Sequence, residues 1–206
     1  MVGIDLGQAT VWGVAAERGA GGWHVVDGRA FPAADAAEVV RWCDGATVAI
    51  DAPGARSEGR HLADASLSPK FQRARCAEVA LLRAGHAVSW VAPLDGAPVA
   101  AWMQVGFDLW DAFGDRSPLE VFPYAVFAEL LGARPPKKQT PAGQRARLDV
   151  VARHLRLPTG VELWGHDGID AAAAAIVAGH HADGRARRLG CDHDDGSVMW
   201  LPAVGG

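Results

Sequence analysis

The sequence predicts an α/β fold built on a mixed β-sheet with helices on both faces, and two observations predict it. Three β-prone runs follow one another closely at the N-terminus, and the rest of the chain alternates helical and strand patterns. Residues 2–7 alternate Val2, Ile4 and Leu6 against Gly3, Asp5 and Gly7, the period of a strand with two different faces. Residues 11–16 and 23–31 are two further β-prone runs joined by the glycine-rich turn at residues 19–22, so the three strands read as an antiparallel meander. Within residues 34–43, Ala36, Val39, Val40 and Cys43 have helical spacing, and Asp44-Gly45 ends that helix before a strand at residues 47–51. A polar stretch to about Arg73 leads to a helix at residues 77–84, closed by Gly85 and followed by a strand at residues 87–92. Helices at 98–113 and 124–131 flank a short strand at 119–122. Further helices are expected at 143–155 and, rich in alanine, at 169–180, with a last strand at 197–201 after the turn Asp195-Gly196.

A chain of 206 residues can bury one substantial core and is short for two ordinary ones, so residues 1–206 read as a single domain. Half of the residues are apolar and 21% are charged. No stretch approaches the roughly 20 apolar residues of a membrane span, so a soluble protein with no membrane partner is expected. The N-terminus has an acid at position 5 and no basic region ahead of it, unlike a secretory signal, which makes the cytoplasm the default location. Cys43, Cys76 and Cys191 are far apart and form no C-x-x-C pair, which argues against a disulfide framework or a zinc site. The segment Cys191-Asp-His-Asp-Asp195 fails the spacing of a calcium loop and reads as a polar turn. A net charge of −4 offers polyanions no global attraction, so any nucleic-acid contact needs a local basic patch.

Acids in apolar strands demand an explanation, because a buried carboxylate is costly unless paired, hydrogen-bonded or bound to a cation. Asp5 shares a strand face with Gly3 and Gly7, where nothing bulky blocks a close approach. Asp51 ends the run Val48-Ala-Ile-Asp51 just before Pro53-Gly54, at the strand end where α/β folds place their sites, although an Asp there also starts turns. Glu120 is a third acid within an apolar strand. Asp167 and Asp170 lie three apart at the start of the alanine-rich helix and so share a face. Capping and the helix dipole would account for them without chemistry. The alanines, however, let that helix lie close to a sheet and bring Asp170 towards the strand-end acids. Converging carboxylates repel unless cations neutralise them, and hard oxygen ligands suit Mg²⁺ or Mn²⁺.

Taken together, Gly3-Ile-Asp-Leu-Gly7, Ala49-Ile-Asp-Ala-Pro-Gly54, Arg75-Cys-Ala-Glu78, Glu120-Val-Phe-Pro-Tyr124, Pro136-Lys-Lys-Gln-Thr140 with Gly143 and Arg147, His166-Asp-Gly-Ile-Asp-Ala-Ala172 and Asp195-Gly-Ser-Val-Met-Trp-Leu-Pro202 resemble domain-of-unknown-function family 429, described as predicted RNase H-like nucleases. The resemblance runs nearly end to end and implies an RNase H-like fold. It also implies a metal-dependent nuclease that hydrolyses phosphodiesters by a two-metal mechanism. Asp5, Asp51 and Asp170 match the acids that the wider RNase H-like group carries on its first strand, fourth strand and last helix, with Asp167 as a fourth. These four are the expected ligands of Mg²⁺ or Mn²⁺ and, with Glu120 from the narrower family's pattern, the expected catalytic set. His166, beside the acidic pair, is a candidate for proton transfer or for orienting a carboxylate.

Nucleic acid is the expected partner, and Arg73, Arg75, Lys137 and Lys138 are the candidate substrate-binding residues. Arg134, Lys137, Lys138, Arg145 and Arg147 form an all-positive stretch between Glu129 and Asp149, although charged runs are often only solvated faces. Two competing functions remain open. One is a non-catalytic module binding nucleic acid or protein on a nuclease-like fold. The other is a phosphotransferase of the actin-like and sugar-kinase type, whose phosphate loop Gly3-Ile-Asp-Leu-Gly-Gln-Ala-Thr10 also resembles, but which needs two halves.

Overall fold

A computed structural model describes residues 1–161, 164–190 and 195–203. The meander forms as its turn chemistry dictates: β1 (Val2–Leu6), β2 (Thr10–Gly19) and β3 (Gly22–Pro32) are consecutive antiparallel neighbours. Gly22, at φ +105°, takes the hairpin conformation that an L side chain resists. After α1 (Ala36–Trp42), β4 (Val48–Asp51) joins the other side of β1 in parallel, with Asp51 opposite Asp5. Helices α2 (Pro69–Gln72), α3 (Cys76–Arg83) and α4 (Ala101–Phe113) precede β5 (Leu119–Glu120), which runs parallel to β4. Then come α5 (Pro123–Leu131), α6 (Pro141–His154), β6 (Leu155–Arg156) and α7 (Gly165–Ala182). The sheet order is β5-β4-β1-β2-β3-β6. An antiparallel meander extended by parallel strands is the RNase H-like layout that the resemblance implies.

Strand alternation divides the core between the two faces. Val2, Ile4 and Leu6 of β1 and Val48 and Ile50 of β4 pack with Val39 of α1 and with Leu109 and Phe113 of α4. The alternate residues, Gly3, Asp5, Ala49 and Asp51, therefore face the opposite side, where α7 lies. Ala171 to Ala175 of α7 are all at most 1% exposed. A Cβ at Gly3 would stand 2.1 Å from both the carbonyl oxygen of Ala171 and the nitrogen of Ala175. Glycine on the strand and alanine on the helix thus set the distance at which α7 docks.

Several local expectations shift. Residues 87–92 form no strand, because β5 takes the place beside β4. Lys70 instead donates to the Val88 carbonyl at 2.6 Å, and the Ala92 amide donates to Glu78 at 3.1 Å. Residues 155–156 leave the predicted helix to pair with β3. Helix α7 begins at Gly165, so Asp167 lies in its first turn rather than at its cap. Strand β7 (Ala186–Gly190) forms a separate antiparallel pair with β8 (Val198–Pro202), attached to the main sheet by a bridge between Val121 and Trp200. Cys191 and most of the expected polar turn at 191–195 lie outside the described residues. Among the described residues, no helix is long and apolar enough to cross a membrane.

Candidate active site

The parallel register of β1 and β4 places Asp5 and Asp51 side by side on the α7 face. Asp5 is 3% exposed. Burial raises its pKa well above the carboxylate range, and the charges of Asp51 and Asp170 raise it further. Asp51 is pushed up to about 7, by burial first and then by Asp170. The two carboxyls act on each other directly, each among the causes that shift the other, and like charges so placed resist ionising together. Asp51 Oδ1 is buried without a hydrogen-bond partner.

Asp170, one turn into α7 and 2% exposed, completes the group and is held by two cations. Arg147 donates to its Oδ1 at 3.0 Å and Lys138 to its Oδ2 at 2.7 Å. Local sequence explains why both reach it. Thr140 accepts from the Gly143 amide at 3.0 Å and caps α6, with Pro141 in the first turn. A Cβ on Gly143 would lie 1.9 Å from the Lys137 carbonyl oxygen, so only glycine lets the loop fold back on the helix. Arg147, from the second turn of α6, donates to the Pro136 carbonyl at 3.3 Å and stacks over Phe127 with 4.8 Å to the ring centroid. Pro136-Lys-Lys-Gln-Thr140, Gly143 and Arg147 together form a clip that holds Lys138 over the acids. Burial alone would lower the pKa of Lys138, but the charges of Asp170, Asp5 and Asp51 outweigh it and raise it.

The other candidates fall into two places. Asp167 borders the acids: with Asp5, Asp51, Lys138, Trp90 and Trp102 it lines an open cavity of about 310 Å³, and its carboxylate is 2.6 Å from Nδ1 of His166. Glu120 points elsewhere. It accepts from Arg75 Nη1 at 2.8 Å and Nη2 at 2.5 Å, and from the Gly54 amide at 2.8 Å. Arg75, 1% exposed, also donates to Glu78 at 2.7 Å. Burial works against the Arg75 cation, but Glu120 and Glu78 more than compensate and raise its pKa. The Arg75–Glu78–Glu120 cluster is thus an internally satisfied ion group that ties α3 to β5. Arg73 is exposed at the end of α2 and lines neither cavity beside the acids. Lys137 and Lys138 both line a second cavity of about 320 Å³, floored by Asp51 and Asp170.

A family model matches the part of the chain that carries the later motifs. Residues 104–195 match the DUF429 family model. That model is described as a protein of unknown function. Among solved structures, the chain is similar to Thermus thermophilus RuvC, at 16% identity and a TM-score of 0.46, over 89% of this chain and 97% of that one. No curated protein matches the chain.

The DUF429 match takes in Glu120, the Lys138 clip and Asp170, while Asp5 and Asp51 precede it. Some neighbours of the acids carried no sequence signal. Trp90 lies in a run that reads as a strand, and only the fold brings it to the cavities. A helix starting near Gly143 was legible, but the Thr140-Pro141 cap and the fold-back of Lys138 were not.

The donors fit a divalent cation on their chemistry. They are hard carboxylate oxygens, one of them buried and unpartnered, and burial and mutual repulsion raise the pKa of both Asp5 and Asp51, a cost that a bound cation would relieve. Among the described residues, no group of three or more His, Cys, Asp or Glu side chains is already gathered to hold one ion. The Lys138 ammonium serves instead as the counter-charge beside Asp170.

Proposed function

We propose that this chain is a metal-dependent phosphodiesterase acting on nucleic acid, with Asp5, Asp51, Asp170 and Asp167 as the ligands of Mg²⁺ or Mn²⁺. The observation that carries this reading is the pair of facing strand-end carboxyls, Asp5 and Asp51, buried in one field with Asp170. Bound divalent cations would supply the Lewis acidity that phosphodiester hydrolysis needs. Asp5 and Asp51 would hold the metal through their facing carboxylates. Asp170 is held in place by Arg147, whose guanidinium is buried and fixed by the clip. Lys138 leaves Asp170 for the substrate phosphate, and Lys137 adds positive charge at the cavity rim. Asp167 stands at the open cavity with His166 against it, where a proton can pass to solvent. Glu120 serves by fixing Arg75 and the Gly54 turn that follows Asp51, a positioning role.

One observation favours a second reading. Asp170 already has two cationic partners, as it would in a module that binds nucleic acid without cutting it. Cleavage assays on labelled single-stranded, duplex and branched DNA and RNA with Mg²⁺ or Mn²⁺ decide between the two. Under the hydrolytic reading, wild type cuts at least one substrate and the Asp5→Asn, Asp170→Asn double variant cuts none. Wild-type binding without cleavage on every substrate establishes the binding module instead.

A further inference from the structure

The two cavities beside the acids share Asp51, Trp90 and Lys138, and their walls differ. The cavity of about 320 Å³ has an aromatic wall in which Trp90 meets Phe122 edge-on at 5.7 Å between centroids and Phe122 meets Tyr124 at 6.0 Å. Trp90 also meets Trp102 edge-on at 5.4 Å, and Trp102 lines the cavity of about 310 Å³. Lys137, Lys138 and Gln139 line the same cavity as the aromatic wall. Its volume lies near the lower end of the roughly 300–1,000 Å³ usual for ligand cavities, the scale of one small ligand rather than of a duplex segment.

These features together select a ligand chemistry. An aromatic wall suits the face of a flat heterocycle, the Gln139 amide can meet its polar edge, and the cations Arg134, Lys137, Lys138 and Arg147 outnumber the carboxylates of Asp51 and Asp170 in the lining, which favours an anion. An aromatic base joined to a phosphate satisfies all three. We infer that this cavity receives one unpaired nucleotide of a nucleic-acid strand, its base against Trp90 and Tyr124 and its phosphate beside Lys138 and Asp51. The inference rests on the proposed hydrolytic function for the fate of that phosphate, and it names the substrate class as single-stranded or locally unpaired. A base inside a duplex reaches the cavity only by leaving the stack, which costs several kcal/mol. A free nucleotide offers the same chemistry, so the test includes one.

The experiment measures binding of a labelled single strand, the same strand with abasic sites, its duplex and a nucleoside monophosphate, in EDTA and in Ca²⁺. It uses wild type, Trp90→Leu and Tyr124→Ala, with Mn²⁺ calorimetry on the same samples. The expected result is about tenfold tighter binding of the intact strand than of the abasic strand, a preference that both substitutions reduce, with the duplex behaving like the abasic strand. Equal binding of intact and abasic strands by wild type overturns the inference without reliance on any variant. So does a preference that survives both substitutions, or a monophosphate that binds as tightly as the strand. Metal binding without base preference overturns this inference alone. Base preference without metal binding overturns the hydrolytic reading alone.

Discussion

At the residue scale, the acids divide by what lies opposite them. Asp5 and Asp51 face each other, Asp170 stands in the same field but is paired with Arg147 and Lys138, and Glu120 is paired with Arg75. The sequence showed that each acid stood in an apolar setting, but it could not show which had a cation waiting. Arg75 was expected at the substrate, yet it is buried between Glu78 and Glu120. Arg75→Met leaves those two carboxylates buried and unpaired, and a loss of about 3–5 kcal/mol of stability is expected by urea unfolding. Glu78→Gln, which keeps the shape and removes one charge, should cost less. A second buried group contributes to the pH dependence of stability. His180 on α7 is lowered to about 4, by burial first and then by the charges of Arg185 and His154. Its ring lies 5.8 Å from that of His154, whose own pKa burial lowers. At His180 the unfolded chain therefore binds more protons than the native one between about pH 4 and 6.5, so its contribution to stability rises with pH across that window, opposite in sign to that of Asp5 and Asp51, whose raised pKa values make the native chain hold the extra protons. The difference between thermal melts of wild type and His180→Asn from pH 6.5 to 4 isolates that contribution, a slope of up to about 1.4 kcal/mol per pH unit. His180→Asn should flatten that slope, and an unchanged slope would remove His180 from the account.

At the scale of elements, α7 depends on two small-residue surfaces meeting. The alanine run read as a helix that could lie close to a sheet, and Gly3 read as an open place on a strand. Their direct contact is visible only in the fold, where a Cβ at Gly3 has backbone atoms at 2.1 Å. Gly3→Val should therefore lift α7 from β1, lower stability by roughly 3 kcal/mol and separate Asp170 from Asp5. Denaturant melts and hydrogen exchange on α7 check this together, and normal protection of α7 in the variant would contradict it. The meander and the helices at either end of the chain were legible because hairpin turns and apolar periods are local. The place beside β4 was not. Residues 87–92 have the more β-prone composition, yet the two-residue β5 takes the ladder. That outcome depends on the Arg75–Glu78–Glu120 ion group and on the Val121–Trp200 bridge, both of which join residues distant in sequence. The charged strand β7, with Arg187 and Arg188, lacks an alternating apolar face and gave no strand signal.

At the scale of the whole molecule, a chain of net charge −4 collects its acids at one end of the sheet's parallel half and holds cations against them. Two cavities open on either side of that cluster. The mixed sheet supplies the adjacent strand ends, α7 supplies the third acid, and the α6 clip supplies the counter-charge. Mn²⁺ calorimetry on wild type and Asp51→Asn at pH 8 tests this arrangement most directly. The account predicts saturable binding by wild type and at least a tenfold loss in the variant, about 1.4 kcal/mol or more. No binding by wild type, or equal binding by both proteins, would contradict it.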